Sequence, residues 1–137
     1  MEGAIDAITR DLLTCHDGLD WTVTEFVRVV DARLPPRVFY KHCPELRDPA
    51  VATPSGIPVH LQLLGSDPQA LAANASQAIR LGAIGLDLNF GCPAPKVCRN
   101  DAGAALLRDP DKVVRMVRAC IEAANVPITV KMRLGIG

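Results

Sequence analysis

The chain has 137 residues, 49% of them hydrophobic and 4% aromatic, with 15 basic and 15 acidic residues and a formal net charge of zero. This length suits one domain with a real apolar core. The balanced charge excludes a general attraction for nucleic acid, so any such contact needs a local basic surface or polypeptide elsewhere. Few aromatics also argue against a stacking platform for single strands.

The five cysteines are Cys15, Cys43, Cys92, Cys98 and Cys120. An odd number, with no signal peptide in MEGAIDAITRDLL, points to a reducing cytosol and a cytoplasmic location rather than a disulfide framework. There is no CxxC pair, so no metal is expected. No apolar run approaches the ~20 residues that span a bilayer, so no membrane segment is expected either.

In chain order, AIDAITRDLL (4–13) has helical spacing at Ile5, Ile8, Leu12 and Leu13, which predicts an inward apolar stripe. TVTEFVRVV (22–30) is rich in β-branched residues and reads as a strand. The Pro, Gly and Ser content of 44–58 reads as loop. VHLQLLG (59–65) is a second strand. A helix follows with Asp67 as cap and Pro68 at its first position, Leu71, Ala75, Ala78 and Ile79 as its stripe, and Gly82 at its end. GLDLNF (85–90) is a third strand. The Asp-Pro start recurs at Asp109-Pro110, predicting a helix with Val113, Val117, Cys120 and Ile121 facing inward, and PITVKMR (127–133) is a fourth strand.

Helices alternating with strands imply parallel pairing and right-handed crossovers. The sequence opens in a loop and helix, and it closes just after a strand. A closed (β/α)8 barrel takes about 250 residues. The expected fold is therefore α/β, a partial TIM barrel of roughly its N-terminal half.

In such barrels the C-terminal ends of strands carry the chemistry. Gln62, Asn89 to Cys92, and Lys131 with Arg133 all fall at or near such ends. Cys92 lies in LDLNFGCPAPKV (86–97), between Gly91 and Pro93. None of His16, His42 and His60 has a spacing that identifies it as a base for a thiolate nucleophile. An ordinary thiol, with a pKa of about 8.5, is mostly protonated at neutral pH and suits a proton donor. The alternative is that Cys92 is a small buried hydrophobe. Lys131 and Arg133 share one strand face, with Met132 on the other. They either meet an anion or lie past the strand end in solvent. Gln62 either serves the site or makes an ordinary core hydrogen bond. Arg28 with Glu25 reads as a solvated charge pair. The lone glycine of RNDAGAALLRDP (99–110) offers a close backbone approach to a substrate. Neither a P-loop nor a GxGxxG fingerprint is present. Cys15, Cys43, Cys98 and Cys120 read as structural.

These motifs together resemble the tRNA-dihydrouridine synthases. LDLNFGCPAPKV followed by GAALLRDP is similar to that family's central motif, VKMRLG to the strand after it, HLQLLG to a flavin-contacting strand, and MEG to the end of its first strand. TEFVRVVD, FYKHCPEL and HLQLLGSDP resemble the bacterial C-type subgroup, which acts on uridine 16. Pro95-Lys96-Val97 and Asp101-Ala102-Gly103-Ala104 depart from that subgroup's usual Lys-Thr-Val-Asn run and double glycine.

The resemblance implies that residues 1–137 are the N-terminal part of an FMN-binding barrel. The rest of the barrel and a helical tRNA-binding domain would lie outside the sequence. It implies Cys92 as proton donor, Met1, Glu2, Gln62 and Lys131 at FMN, and Arg28, Asn89 and Arg133 at the RNA. NADPH or NADH would be the reductant and tRNA the partner. The full-length protein is expected to be monomeric. The 137-residue segment alone is expected to expose edges able to self-associate, and neither to hold FMN tightly nor to modify tRNA. Two other readings compete: an FMN barrel reducing a small pyrimidine or other small molecule, and a non-catalytic half-barrel.

Overall fold

The structure is a computed structural model that describes residues 3–16 and 18–135. Its elements in order are α1 (Ala7–Thr14), β1 (Thr22–Val23), β2 (Val27–Arg28), α2 (Pro36–His42), a 3-10 turn (Pro44–Arg47), β3 (Val59–Leu64), α3 (Pro68–Arg80), β4 (Leu86–Phe90), α4 (Pro95–Cys98), a second 3-10 turn (Gly103–Arg108), α5 (Pro110–Ala123) and β5 (Ile128–Met132). All strand pairs are parallel, in the order β1-β3-β4-β5, with β2 also paired to β3. This is the half-barrel expected from the sequence.

The helices start where the Asp-Pro pairs put them. The Asp67 carboxylate accepts from the Ala70 N–H at 2.7 Å, and that of Asp109 accepts from the Lys112 N–H at 2.9 Å. Each cap satisfies an orphan donor of the first turn. Leu71, Ala75 and Ala78 of α3, with Met116 and Cys120 of α5, pack on Leu61, Leu63, Leu86, Leu88 and Phe90 of the sheet. The leucines among these are fully buried, each contributing roughly 1.5–3 kcal/mol. Ile121, expected to face inward, is 55% exposed. Met116 takes its place, because the stripe at 113, 116, 117 and 120 already fills the arc facing α3 and the sheet.

Three further expectations need correction. The segment 22–30 is not one continuous strand. Thr22 and Val23 pair with Val59 and His60, whereas Val27 and Arg28 pair with Leu63 and Leu64. Four steps on the first segment therefore match three on β3, and one extra residue bulges out between Val23 and Val27. There the Thr24 hydroxyl accepts the Gln62 N–H at 3.0 Å, in place of a backbone carbonyl. The loop 44–58 contains a 3-10 turn, and α2 precedes it, a helix whose signal is confined to the Pro35-Pro36 start.

The third correction concerns α1, which begins at Ala7 behind an Asp6 cap and does not bury the predicted stripe. Ile8, Leu12 and Leu13 are exposed, and Ile5 is only partly buried. The buried face carries Arg10 and Thr14 instead. Arg10 is fully buried, with Nε 2.9 Å and Nη2 2.7 Å from Glu45 Oε1, and with Nη1 donating to the Ile5 carbonyl at 2.8 Å. The Thr14 hydroxyl donates to the Arg10 carbonyl and lies 2.9 Å from the Thr53 hydroxyl. An ion pair thus fixes the face of α1 that packs on the Pro44–Arg47 turn, against the helix's apolar periodicity. Removing one partner of a buried pair strands the other charge. Arg10→Ala is expected to cost about 3–5 kcal/mol in urea unfolding, whereas Arg10→Met with Glu45→Leu should cost far less.

Candidate active site at the C-terminal rim of the sheet

Partners in a parallel ladder share a face, and alternation along each strand stacks them in layers. On the face away from α3 and α5, Gln62, Asp87 and Thr129 are register partners and form one layer. Two residues further along each strand, Arg28 with Leu64 and Asn89 with Lys131 form the layer at the C-terminal rim. Two residues the other way, His60 lies over Gly85, where any side chain would collide with its ring. His60 also stacks on Trp21, with ring centroids 5.7 Å apart. Burial holds the His60 imidazole below the usual histidine pKa, and the Asp87 carboxylate opposes the shift.

The middle layer is polar yet buried. Gln62, Asp87 and Asn89 are 3%, 6% and 4% exposed. Gln62 Nε2 donates to Asp87 Oδ2 at 2.6 Å, and the Thr129 hydroxyl donates to Asp87 Oδ1 at 2.6 Å. Asn89 Nδ2 donates to Gln62 Oε1 at 2.8 Å. Asn89 Oδ1 in turn accepts the backbone N–H groups of Gly91 at 3.1 Å and Cys92 at 3.0 Å. Each member is satisfied, as a buried polar network must be to avoid a desolvation cost.

The loop bearing Cys92 is held from several sides. The Cys92 carbonyl accepts from the Ala104 N–H at 2.9 Å, and the Gly91 carbonyl accepts from Arg133 Nε at 2.8 Å. Val97 and Ala102 anchor the loop on Phe26 and Leu64, with Cys92 and Ala94 packed against that cluster. The glycine that this arrangement requires is Gly103. Its φ is +60°, and a Cβ there would come within 2.5 Å of the Cys92 carbonyl oxygen and 2.8 Å of Val97 Cγ1. A Cβ at Gly91 would meet only ordinary contacts, the nearest at 3.6 Å. The close approach expected at Gly103 is thus made by the Cys92 backbone.

Asn89, Cys92, Lys131 and Arg133 line one cavity of about 370 Å³, together with Gly91, Pro93 and Met132. Four of the residues singled out from the sequence therefore meet at one place. Gln62 lies one layer below and supports Asn89. Arg28 lines a separate small crevice with Leu64 and Asn100, and its Nη2 donates to the Lys96 carbonyl at 3.3 Å. Arg28 is not paired with Glu25, whose carboxylate instead accepts the Ala4 N–H at 2.9 Å. Met1 and Glu2 lie outside the described residues. A larger groove of about 550 Å³ runs between α1 and residues 44–56, away from the strand ends.

The side chain of Lys131 is exposed and makes no hydrogen bond or ion pair among the described residues. Arg133 has its remaining guanidinium nitrogens to offer the cavity. Asn89 has one N–H left after its three bonds. Among the other thiols, burial pushes Cys43 up to about 12, with the Glu45 carboxylate adding to the rise, and burial alone pushes Cys120 up to about 12. Both are inert core residues. Cys15 is exposed, and the Cys98 Sγ lies 3.6 Å from the Cys92 carbonyl oxygen. Among the described residues no group of three or more His, Cys, Asp or Glu side chains could hold a metal ion, and no helix is long and apolar enough to cross a membrane.

Two residues of the site, Asp87 and Thr129, escape the sequence reading as site residues, and the Gly103 contact with the Cys92 carbonyl differs from the substrate approach expected there. Asp87 was findable: in LDLN it shares the strand face of Asn89, and a carboxylate in an otherwise apolar strand must find partners. The Gly103 contact spans eleven residues and has no local signal. Gly103→Ala is expected to displace the Cys92 loop and cost about 1–3 kcal/mol through backbone strain and overpacking, read as a lower urea midpoint. Gly91→Ala should cost less than Gly103→Ala in the same assay.

The dihydrouridine synthase (Dus) family model matches residues 1–137. The tRNA-dihydrouridine(16) synthase of Vibrio cholerae serotype O1 is 52% identical over 137 residues, which cover 98% of this chain and 42% of the relative. The protein of the same name from Pseudomonas putida is 53% identical, with 98% and 42% covered, and that of Escherichia coli K12 is 50% identical, with 98% and 43% covered. The chain thus spans under half the length of these curated relatives. A family match along the whole chain and half-identity to such relatives agree with the strand-end cysteine motif, and the chain belongs to the dihydrouridine synthase family.

Proposed function

We propose that residues 1–137 are the N-terminal part of the catalytic barrel of an enzyme that reduces a uridine of tRNA, at position 16, to 5,6-dihydrouridine. FMN would be the cofactor, NADPH or NADH the reductant, and the cytoplasm the location. The observation that carries this reading is the meeting of Cys92, Lys131, Arg133 and Asn89 around one cavity at the C-terminal rim of the sheet. The names of the half-identical relatives support the substrate and the position.

The cavity suits an electron-rich aromatic ring on one side. Lys131, without a partner among the described residues, offers a cation there, of the kind that stabilises an anionic reduced flavin. Gln62 acts from below by holding Asn89. Bound in its reduced form, FMN would supply the hydride that C6 of uracil takes up. Cys92 would deliver the second hydrogen, as a proton from its Sγ to C5, and the thiolate left behind would recover a proton from solvent. Such a positioned acid contributes about 10²–10⁴ in rate. The target base must first leave its stack, at a cost of a few kcal/mol. Arg133 and Arg28, with the exposed Lys96 and Arg99 of the rim loop, give local positive charge for the phosphates despite the zero net charge.

This reading concerns the full-length gene product. The segment by itself is proposed to bind FMN weakly and to leave tRNA unmodified. In the full-length protein, Cys92→Ala is expected to lower dihydrouridine formation by at least about 10²-fold while flavin absorbance of the purified protein is retained. Mass spectrometry of the tRNA gives the first quantity and the visible spectrum the second. Turnover close to that of the unsubstituted protein would overturn the role of Cys92. Reduction of free uracil or uridine with tRNA left untouched would favour the small-molecule alternative.

A further inference from the structure

The proposed role of Cys92 requires a loop that holds its sulfur in one place, and the buried layer beneath shows how the loop is set. A carboxamide can point either way round, and its orientation is decided by its partners. Two adjacent carboxamides, Gln62 and Asn89, link the layer to the loop. At one end stands Asp87, which as a carboxylate only accepts. It therefore faces the NH2 of Gln62, which turns the Gln62 oxygen toward Asn89. That oxygen selects the Asn89 NH2 and leaves the Asn89 oxygen for the loop. At the other end stand two backbone donors, the N–H groups of Gly91 and Cys92, which need an oxygen. Both ends demand the same direction along the chain.

We propose that Asp87 is a positioning residue for Cys92, its carboxylate fixing the direction of a hydrogen-bond relay through Gln62 and Asn89 that ends on the backbone N–H groups of Gly91 and Cys92. The inference rests on the reading of Cys92 as proton donor for its functional meaning, but the relay stands on its own geometry. Thr129 is the second arm. Its hydroxyl occupies the other Asp87 oxygen, so β5 is tied into the relay along with β3 and β4. A charged acceptor matters here because charge-assisted hydrogen bonds are roughly twice as strong as neutral ones. An isosteric neutral residue would remove the acceptor-only constraint at this end, since the Thr129 hydroxyl can accept as well as donate, and would leave the loop donors alone to set the direction.

The test reads the loop without turnover, using the full-length protein in the absence of tRNA and NADPH. In Asp87→Asn the shape is kept, and hydrogen exchange at the Gly91 and Cys92 amides, followed by NMR, is expected to accelerate about five-fold or more. Amides of the β3–β4 ladder should change little. A second set of variants tests direction. Asn89→Asp alone sets its carboxylate against the Gln62 oxygen and should lower the urea midpoint markedly. Adding Asp87→Asn to it permits the whole relay to reverse. The new amide at position 87 donates to Gln62, Gln62 donates to the new carboxylate at position 89, and that carboxylate still accepts from the loop. The double variant should therefore be more stable than Asn89→Asp, recovering at least half of the lost midpoint. A purely structural role for each residue predicts additive losses instead. Unchanged exchange at Gly91 and Cys92 in Asp87→Asn, or a double variant no more stable than Asn89→Asp, would overturn the proposal. Its failure is distinguishable from failure of the functional reading, because that reading falls on tRNA turnover by Cys92→Ala and the relay on exchange and unfolding data.

Discussion

The buried carboxylate of Asp87 is the constraint around which the polar face of this half-barrel is organised. It lies between Gln62 on one neighbouring strand and Thr129 on the other, and it accepts from both. A charge with so little exposure is tolerated only when its lone pairs are met. Meeting them commits the side chains of three strands to one arrangement. That commitment passes upward to Asn89 and so to the turn bearing Cys92. The same turn is held from the far side by the Ala104 N–H, which reaches the Cys92 carbonyl because Gly103 lacks a Cβ. The thiol is therefore carried by a backbone fixed at both its N–H and its C=O.

The two faces of the sheet divide the work. The helix-facing side is leucine, valine and phenylalanine packed under α3 and α5, and supplies the stability. The opposite side is layered from His60 through Gln62, Asp87 and Thr129 to Asn89 and Lys131, and carries the residues proposed for the chemistry. Arg28, Lys96, Arg99, Lys131 and Arg133 put local positive charge at the rim, while the other basic residues lie elsewhere along the chain. A chain with zero net charge can thereby carry a local cluster of cations at one edge.

Much of this was legible in the residues. The Asp-Pro starts of α3 and α5 act within one turn, so local sequence fixes them, and the apolar runs of β3 and β4 have the length and content of buried parallel strands. Period two along β5 puts Lys131 and Arg133 on one side, and both line the cavity. What escaped depended on distant partners. The stripe of α1 misleads because Glu45, thirty-five residues away, claims Arg10 for the interior and turns the aliphatic side chains outward. The bulge near Thr24 escapes because it is defined only against β3. Gly91 and Pro93 flank the thiol in sequence, but the glycine that the loop requires is Gly103, which acts across a turn of eleven residues.

The central claim is that this fixed backbone aims one sulfur at one carbon. The most direct measurement is a structure of the full-length protein with FMN and tRNA bound. The account predicts the Cys92 Sγ at about 3–3.5 Å from C5 of the extruded uracil, on the face opposite the flavin, with the Gly91 and Cys92 N–H groups still on Asn89 Oδ1. A sulfur remote from the pyrimidine, or on the same face as the flavin, would contradict it.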